Sequence, residues 1–244
     1  MPDTIHAKIH DCAVRVGSIF DLIFDQVEEW RSAILALPTD TSPTALDSLV
    51  QSLVVPKLMV ADPILIGAGL IAAPHYLHSE GVHVSWWLGP LESNPLLGST
   101  TGPTRLDLST RGYADYLSDL RTLEWYSVPE ATGQTHITGP YVDHLCMVDY
   151  ILTLTIPAEV DGTMVGVVGA DIYVKRLERE LLPLFTALDE HVSLLNQVGR
   201  VIVSTDPTLA VGAIVPDEKH PDGSFTLQAC PGTPFSLAIA RAGT

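Results

Sequence analysis

A lone carboxylate stands in one of the most apolar segments of the chain. Asp171 is the only charged residue of G-V-V-G-A-D-I, residues 166–172. An ionised carboxylate that leaves water needs a partner, because its desolvation is otherwise costly. A bound ammonium group would supply that partner. The alternative is that Asp171 faces solvent or caps the following helix near Lys175 and Arg176.

Aromatic residues and a second acid accompany Asp171. Trp125 and Tyr126 are adjacent, and Tyr141 lies in G-P-Y-V-D, two residues before Asp143. The face of a Trp or Tyr ring attracts a cation by about 0.5–2 kcal/mol. If the chain is extended at Tyr141, Asp143 shares its face and is a second candidate cation partner. The alternatives are an aromatic pair in the core and an exposed loop acid.

Two further groups could carry catalysis. His75, His78 and His83 lie within nine residues, and clustered histidines bind metals. His144 and Cys146 would share one face of an extended segment, as a base and a nucleophile can. No acid at helical spacing supports the histidines, and no nucleophile elbow accompanies Cys146. A metal- or thiol-dependent enzyme is therefore the weaker alternative, and no cofactor is predicted.

Hydrophobic periodicity and turn residues predict the elements that must position these side chains. Helices are expected at residues 5–37, 45–59, 110–121 and 178–195. Strands are expected at residues 64–73, 82–88, 149–157, 164–173 and 200–204, with a hairpin over 225–240. An Asp-Gly turn at residues 161–162 joins two apolar runs, which is a strong hairpin pattern.

The order of these elements predicts an α+β fold. A long helix comes first, and antiparallel hairpins with one crossover helix follow, whereas regularly alternating βα units are absent. We expect residues 1–40 to form the long helix and residues 41–244 the ligand-binding domain, as one structural unit. The apolar stripe of the long helix is wide enough to predict a homodimer through it.

The composition of the chain limits the classes of partner that it is expected to bind. The 244 residues carry a formal net charge of -16, which disfavours nucleic acids and anionic membranes and attracts small cations. Residues 49–73, the most apolar stretch, contain Pro56, Lys57, Asp62 and Pro63, which would interrupt a span. The first residues lack the pattern of a secretory signal. We therefore expect a cytoplasmic protein.

Residues 123–204 resemble a Cache domain, the PAS-like ligand-sensing module of bacterial chemoreceptors and sensor kinases. The resemblance rests on L-E-W-Y-S-V-P, T-G-P-Y-V-D-H, the hairpin that ends in A-D-I, and N-Q-V-G-R-V-I-V-S-T. It implies a PAS-like antiparallel sheet. In the amino-acid- and amine-binding families it implies that Asp171 contacts the ligand amino group and that Trp125 and Tyr141 line the pocket.

The sequence departs from these families where they bind a ligand carboxylate. Their members place an Arg two residues before the Trp, and position 123 is Leu here. Tyr116 and Arg121 keep the family's five-residue spacing, but Arg121 lies four residues before Trp125. Either two residues are inserted or the carboxylate clamp is absent. The resemblance thus implies an amine, polyamine or amino acid as ligand.

The resulting hypothesis is a sensor of a small cationic or zwitterionic metabolite. Its output would pass through a dimer or a separate partner such as a transcription regulator or kinase, because the sequence shows no output motif. An interaction subunit with a vestigial pocket is the other alternative.

Overall fold

The long amino-terminal helix, α1 (Pro2–Leu35), confirms the first predicted element. This computed structural model describes residues 2–38, 40–77, 81–91, 98–106, 120–143, 149–215 and 225–240. The apolar side chains of α1 are buried at three- and four-residue spacing. They are Ile9, Cys12, Val16, Phe20, Ile23, Val27, Trp30 and Ile34. The chain itself covers this stripe, so the stripe no longer argues for a homodimer, which stays a prediction.

The described residues divide into two compact units. We call residues 24–138 and 142–172 the central unit, and residues 1–23, 139–141 and 173–244 the terminal unit. Both are discontinuous in sequence, because α1 and the segment around residue 140 contribute to each.

The central unit is built on a six-stranded sheet of order β3-β2-β1-β6-β5-β4. Its strands are β1 (Leu65–Ala72), β2 (His83–Leu88), β3 (Thr104–Arg105), β4 (His136–Val142), β5 (Tyr150–Val160) and β6 (Thr163–Tyr173). Its helices are α2 (Pro43–Leu58), α3 (Glu124–Thr132) and a single 3-10 turn (Leu120–Thr122). β1 pairs antiparallel with both β2 and β6, which places Asp171 opposite Gly67.

The predicted hairpin joins β5 to β6. Its turn residues, Asp161 and Gly162, have φ angles of 51° and 75°. Two successive residues with positive φ form the turn that matches the twist of paired strands, and Asp and Gly tolerate it best. The local sequence therefore determines this hairpin, and with it the position of Asp171 near the end of β6.

The terminal unit contains α4 (Val174–Thr186) and a four-stranded sheet of order β8-β7-β10-β9. Its strands are β7 (Val192–Leu195), β8 (Val201–Ser204), β9 (Phe225–Ala229) and β10 (Ser236–Ala240), each pairing antiparallel with its neighbour. α4 packs on this sheet through Leu177, Leu181 and Phe185, which are fully buried. The two sheets and their helices confirm the predicted α+β, PAS-like class.

The helix predicted over residues 178–195 is wrong in its second half. α4 ends at Thr186, Asp189 adopts a φ of 55°, and residues 192–195 form β7. All four residues of β7 are buried, and the strand lies between β8 and β10. A short apolar run that is buried on both faces has no alternation, so periodicity cannot distinguish it from a helix.

Helix α3 was not predicted, although it carries Trp125. The helix predicted over residues 110–121 lies almost wholly outside the described residues, and only its last residues appear, in the 3-10 turn. Pro129 inside α3 masks the helical pattern in the sequence. No helix in the described ranges has the length and apolar character needed to cross a membrane.

Gly17 offers a test of how tightly α1 is packed. A methyl group at Gly17 would overlap the backbone carbonyl oxygen of Pro231, in the turn between β9 and β10. In an exposed helix Gly to Ala stabilises by about 1 kcal/mol. Here we expect Gly17→Ala to lower the free energy of unfolding by about 1–3 kcal/mol, because the backbone of α1 or of the Pro231 turn must move to make room for the methyl group.

The neighbouring exposed residue supplies the control. Ser18→Ala should change the free energy of unfolding by less than about 0.5 kcal/mol, measured by urea denaturation. Equal or greater stability of Gly17→Ala would show that α1 is not packed against this turn.

Candidate functional site

Asp171 is buried in β6 on a face of the central sheet that is rich in glycine. Only 7% of the residue is exposed. Gly67 lies directly opposite it in β1, and Gly69 of β1 pairs with both Gly169 of β6 and Trp86 of β2. Residues two apart in a strand share a face. Asp171 therefore shares its face with three glycines and one Trp.

Trp86 fills the space that these glycines leave. Its Nε1 lies 2.8 Å from the point where a Cβ atom on Gly67 would stand, and Asp171 Oδ2 lies 3.2 Å from the same point. Its Cη2 is 3.4 Å from the corresponding point on Gly169. The indole thus extends over both glycines, and its N–H donates a hydrogen bond to the Asp171 carboxylate.

A second hydrogen bond reaches Asp171 from the other side. The hydroxyl of Thr153, in β5, donates to Asp171 Oδ1 at 2.6 Å. Thr153 is itself buried. Asp171 is therefore held by donors from two strands, β2 and β5, that flank β1 and β6.

The electrostatics of Asp171 are unusual for an acid. Burial and, less strongly, the nearby carboxylate of Asp143 raise its pKa to about 7, against the hydrogen bonds from Thr153 and Trp86, which lower it. Within the described part of the chain no Lys, Arg or His pairs with it. No positive charge among the described residues therefore compensates the ionised form of this acid.

Trp125 begins α3 beside this group. The Thr155 hydroxyl, two residues from Thr153 in β5, donates to the backbone carbonyl of Trp125 at 2.9 Å. The Thr155 methyl group also lies 2.9 Å from where a Cβ on Gly169 would stand, so Thr155 shares the face of Asp171. Trp125 is half-buried, and Tyr126 is fully buried with its ring edge-on at 6.2 Å.

The remaining predicted site residues are distributed as follows. Asp143 follows β4 directly, is 7% exposed, and acts electrostatically on Asp171. Tyr141 lies half-buried within β4, in the part assigned to the terminal unit. Arg121 is exposed in the 3-10 turn, and Tyr116 lies outside the described residues. The structure therefore places Asp171 and Asp143 close to each other within the central unit, and it places the backbone of Trp125 beside Thr155, on the face of Asp171.

The two described members of the predicted histidine cluster, His75 and His83, have different surroundings. His83 Nε2 is 2.9 Å from Asp47 Oδ1, Arg105 binds Asp47 Oδ2, and His75 is exposed. His78, His144 and Cys146 lie outside the described residues. Among the residues that are described, no group of three metal-binding side chains comes together.

Sequence reasoning missed the residues that hold Asp171. Trp86 was assigned only to a strand, and Thr153 and Thr155 only to an apolar run. The alternation T-L-T in β5, opposite a strand with one acid, was the available indication that hydroxyls share the face of that acid. Nothing in the sequence indicated that Gly67 would bring Trp86 to Asp171, because their contact depends on the pairing of three strands.

The burial of Asp171 predicts a pH-dependent stability. Its folded pKa of about 7 exceeds the ordinary value of about 3.9. The folded state therefore binds the proton more tightly than the unfolded chain. This carboxyl contributes stability below about pH 4, and the contribution is lost as pH rises to about 7, by up to about 4 kcal/mol.

Asp171→Asn removes the ionisable group and keeps its shape. The stability of this variant relative to the parent protein should rise between pH 4 and pH 8, measured by urea denaturation at each pH. A difference that is constant across this range would contradict the burial of an ionisable Asp171.

Comparisons with known proteins find a family model that matches part of the chain. Residues 83–179 match the family model described as the first PDC sensor domain of methyl-accepting chemotaxis protein-like proteins. The methyl-accepting chemotaxis protein PctB of Pseudomonas aeruginosa is 30% identical over 125 residues, which are 48% of this chain and 19% of PctB. The match thus spans about a fifth of that curated relative.

Two solved structures share the fold over nearly the whole chain. The ligand-binding domain of the Pseudomonas fluorescens chemoreceptor CtaA, in complex with L-valine, has a TM-score of 0.65 at 17% identity and covers both chains fully. That of the Pseudomonas aeruginosa amino acid chemoreceptor PctC, in complex with GABA, has a TM-score of 0.62 at 18% identity and covers 98% of each chain.

These matches support a non-catalytic interpretation, because the family consists of sensor domains and not of enzymes. The overall fold is that of dCache-type ligand-binding domains, and residues 83–179 match a PDC sensor domain of the kind found in chemoreceptors.

Proposed function

We propose that this domain senses a small molecule through a protonated amino group, with Asp171 as the acid that binds it. The observation that carries the proposal is a buried carboxylate without a basic partner in the described part of the chain. A buried charge needs an opposite charge, and a ligand ammonium group meets that need only while it is bound. The affinity of the site for cations follows from this difference.

Further observations support an amine as the ligand. Asp143 brings a second buried acid to the site, so a single ammonium group has two acids to contact, or a diamine one for each end. Trp125 is the proposed aromatic wall within the central unit, where a ring face would attract the same cation. The role of Tyr141 stays a prediction from the sequence. L-Valine and GABA, the molecules bound to CtaA and PctC, both carry an amino group.

An amine or polyamine is favoured over a plain amino acid. Leu123, at the position where the resembling families carry an Arg, has no charge and is partly exposed. Arg121 is exposed in the 3-10 turn, and Glu124, which pairs with His136 at 2.9 Å, adds negative charge beside Trp125. Among the described residues, the proposed site is thus rich in acid, and Leu123 offers no binding group for a ligand carboxylate.

Binding would signal onward through a dimer contact or a separate partner. A ligand shifts a conformational equilibrium only as far as it binds the two states unequally. The homodimer, a regulator or kinase as partner, and the cytoplasmic location stay predictions.

A thermal-shift screen tests the ligand class directly. The compounds are n-butylamine, 1,4-diaminobutane, a linear triamine, GABA, L-valine and butyrate. At 100 times its dissociation constant, a ligand should stabilise the protein by about 2.7 kcal/mol. We expect shifts with the amines that disappear in Asp171→Asn and persist in Asp11→Asn, an exposed control with the same change of charge. A shift with butyrate alone would contradict the proposed cation site.

The pH dependence of amine affinity provides a second test. The ligand needs ionised Asp171, and the pKa of this carboxyl is about 7. Affinity for 1,4-diaminobutane should therefore fall about tenfold for each pH unit below 7 and level off above about pH 8. Isothermal titration calorimetry between pH 5.5 and 8.5 measures this. Affinity that is independent of pH would exclude Asp171 as the cation partner.

A further inference from the structure

The Asp171 carboxylate is held at both of its oxygens by neutral donors. Thr153 Oγ1 donates to Oδ1 from β5, at 2.6 Å. The Trp86 indole donates from β2, and Asp171 Oδ2 and Trp86 Nε1 meet above Gly67. β1, which carries Gly67, separates β2 from β6. The contact between Trp86 and Asp171 therefore crosses the whole width of β1. A Trp side chain can reach that far only when the residue beneath it is a glycine.

We propose that Trp86 and Thr153 are positioning residues that fix the Asp171 carboxylate for the ligand and determine the pH range in which it binds a cation. The inference rests on the proposed function for its ligand and on the geometry of three strands for its two donors. Trp86 is the principal element, because it reaches Asp171 from a strand that is not adjacent to β6.

The first effect of the two donors is orientation. A carboxylate offers about four lone-pair positions, and two donors leave the others for a ligand. A side chain held at both oxygens cannot rotate about its last bond, so the ligand does not have to order it. Interactions that are preformed in this way improve affinity because they reduce the entropy lost on binding.

The second effect is on protonation. Both donors stabilise the ionised form of Asp171, whereas burial and Asp143 favour the protonated form. Asp143 is the charged group that faces Asp171 among the described residues, and β1, β2 and β5 present Gly67, Trp86 and Thr153, which are neutral. Loss of one donor would therefore raise the pKa of Asp171 further above its ordinary range.

Gly67 is the structural condition for this arrangement. A Cβ atom there would lie 2.8 Å from Trp86 Nε1 and 3.2 Å from Asp171 Oδ2. Both distances are shorter than ordinary contacts, so a methyl group would separate the indole from the carboxylate. The glycine is needed for space, because both partners approach over its Cα atom.

The test compares two adjacent tryptophans. Trp86→Phe keeps an aromatic ring and removes the N–H that donates to Asp171. Trp87→Phe is the matched control, because Trp87 lies on the opposite face of β2 and its Nε1 has no hydrogen-bond partner among the described residues. Thr153→Val, which removes one hydroxyl with little change of shape, tests the second donor should Trp86→Phe fail to fold.

Two measurements separate this inference from the proposed function. The titration midpoint of the Asp171 carboxyl, followed by carbon-13 NMR without ligand, should rise by about one pH unit in Trp86→Phe and in Thr153→Val. Affinity for 1,4-diaminobutane at pH 7 should fall about fivefold in the same variants, because a smaller fraction of Asp171 is ionised, and recover as pH rises. Trp87→Phe should change neither.

Different results would overturn the positioning role and the proposed function. An unchanged midpoint in both Trp86→Phe and Thr153→Val would overturn the positioning role, whether or not amines bind. Equal effects of Trp86→Phe and Trp87→Phe would overturn it as well, since they would report a general effect of the smaller ring. If the parent protein binds no amine from pH 5.5 to 8.5, the proposed function fails and the ligand-positioning role fails with it.

Discussion

The burial of one carboxylate is the constraint on which the central unit depends. Asp171 is the only charged residue of β6 and is buried, so its desolvation must be compensated within a few ångströms. Thr153 and Trp86 compensate part of it with hydrogen bonds, and Asp143 opposes them. The fold supplies donors but no positive charge from the described residues. Under the proposed function, this incompletely compensated acid is the origin of selectivity for cations.

Glycine makes this arrangement compatible with a packed sheet. Protein interiors are close-packed, and a Trp ring on a sheet normally displaces its neighbours. Here Gly67 and Gly169 have no side chains on the face that Trp86 covers, so the ring extends over the strands and its N–H reaches the acid. The same residues that would weaken an isolated strand thus create the space for a functional contact.

Much of the fold follows from local sequence. The long helix, the β1–β2 and β5–β6 hairpins and the last hairpin were predicted, because periodicity and an Asp-Gly turn act over a few residues. β7 was taken for helix, because a short run buried on both faces has no period of its own. α3 was missed, since Pro129 interrupts its pattern. Neither error changes the α+β class.

The sequence by itself determined that Asp171 is a lone acid in an apolar strand, and that Trp125, Tyr141 and Asp143 are its candidate companions. Only the tertiary structure decided what holds the acid in place. Residues 67, 86, 153 and 171 come from four strands, and their contacts depend on strand order and register. Register is a long-range property, so no local pattern could have predicted that Trp86 and Asp171 meet above Gly67.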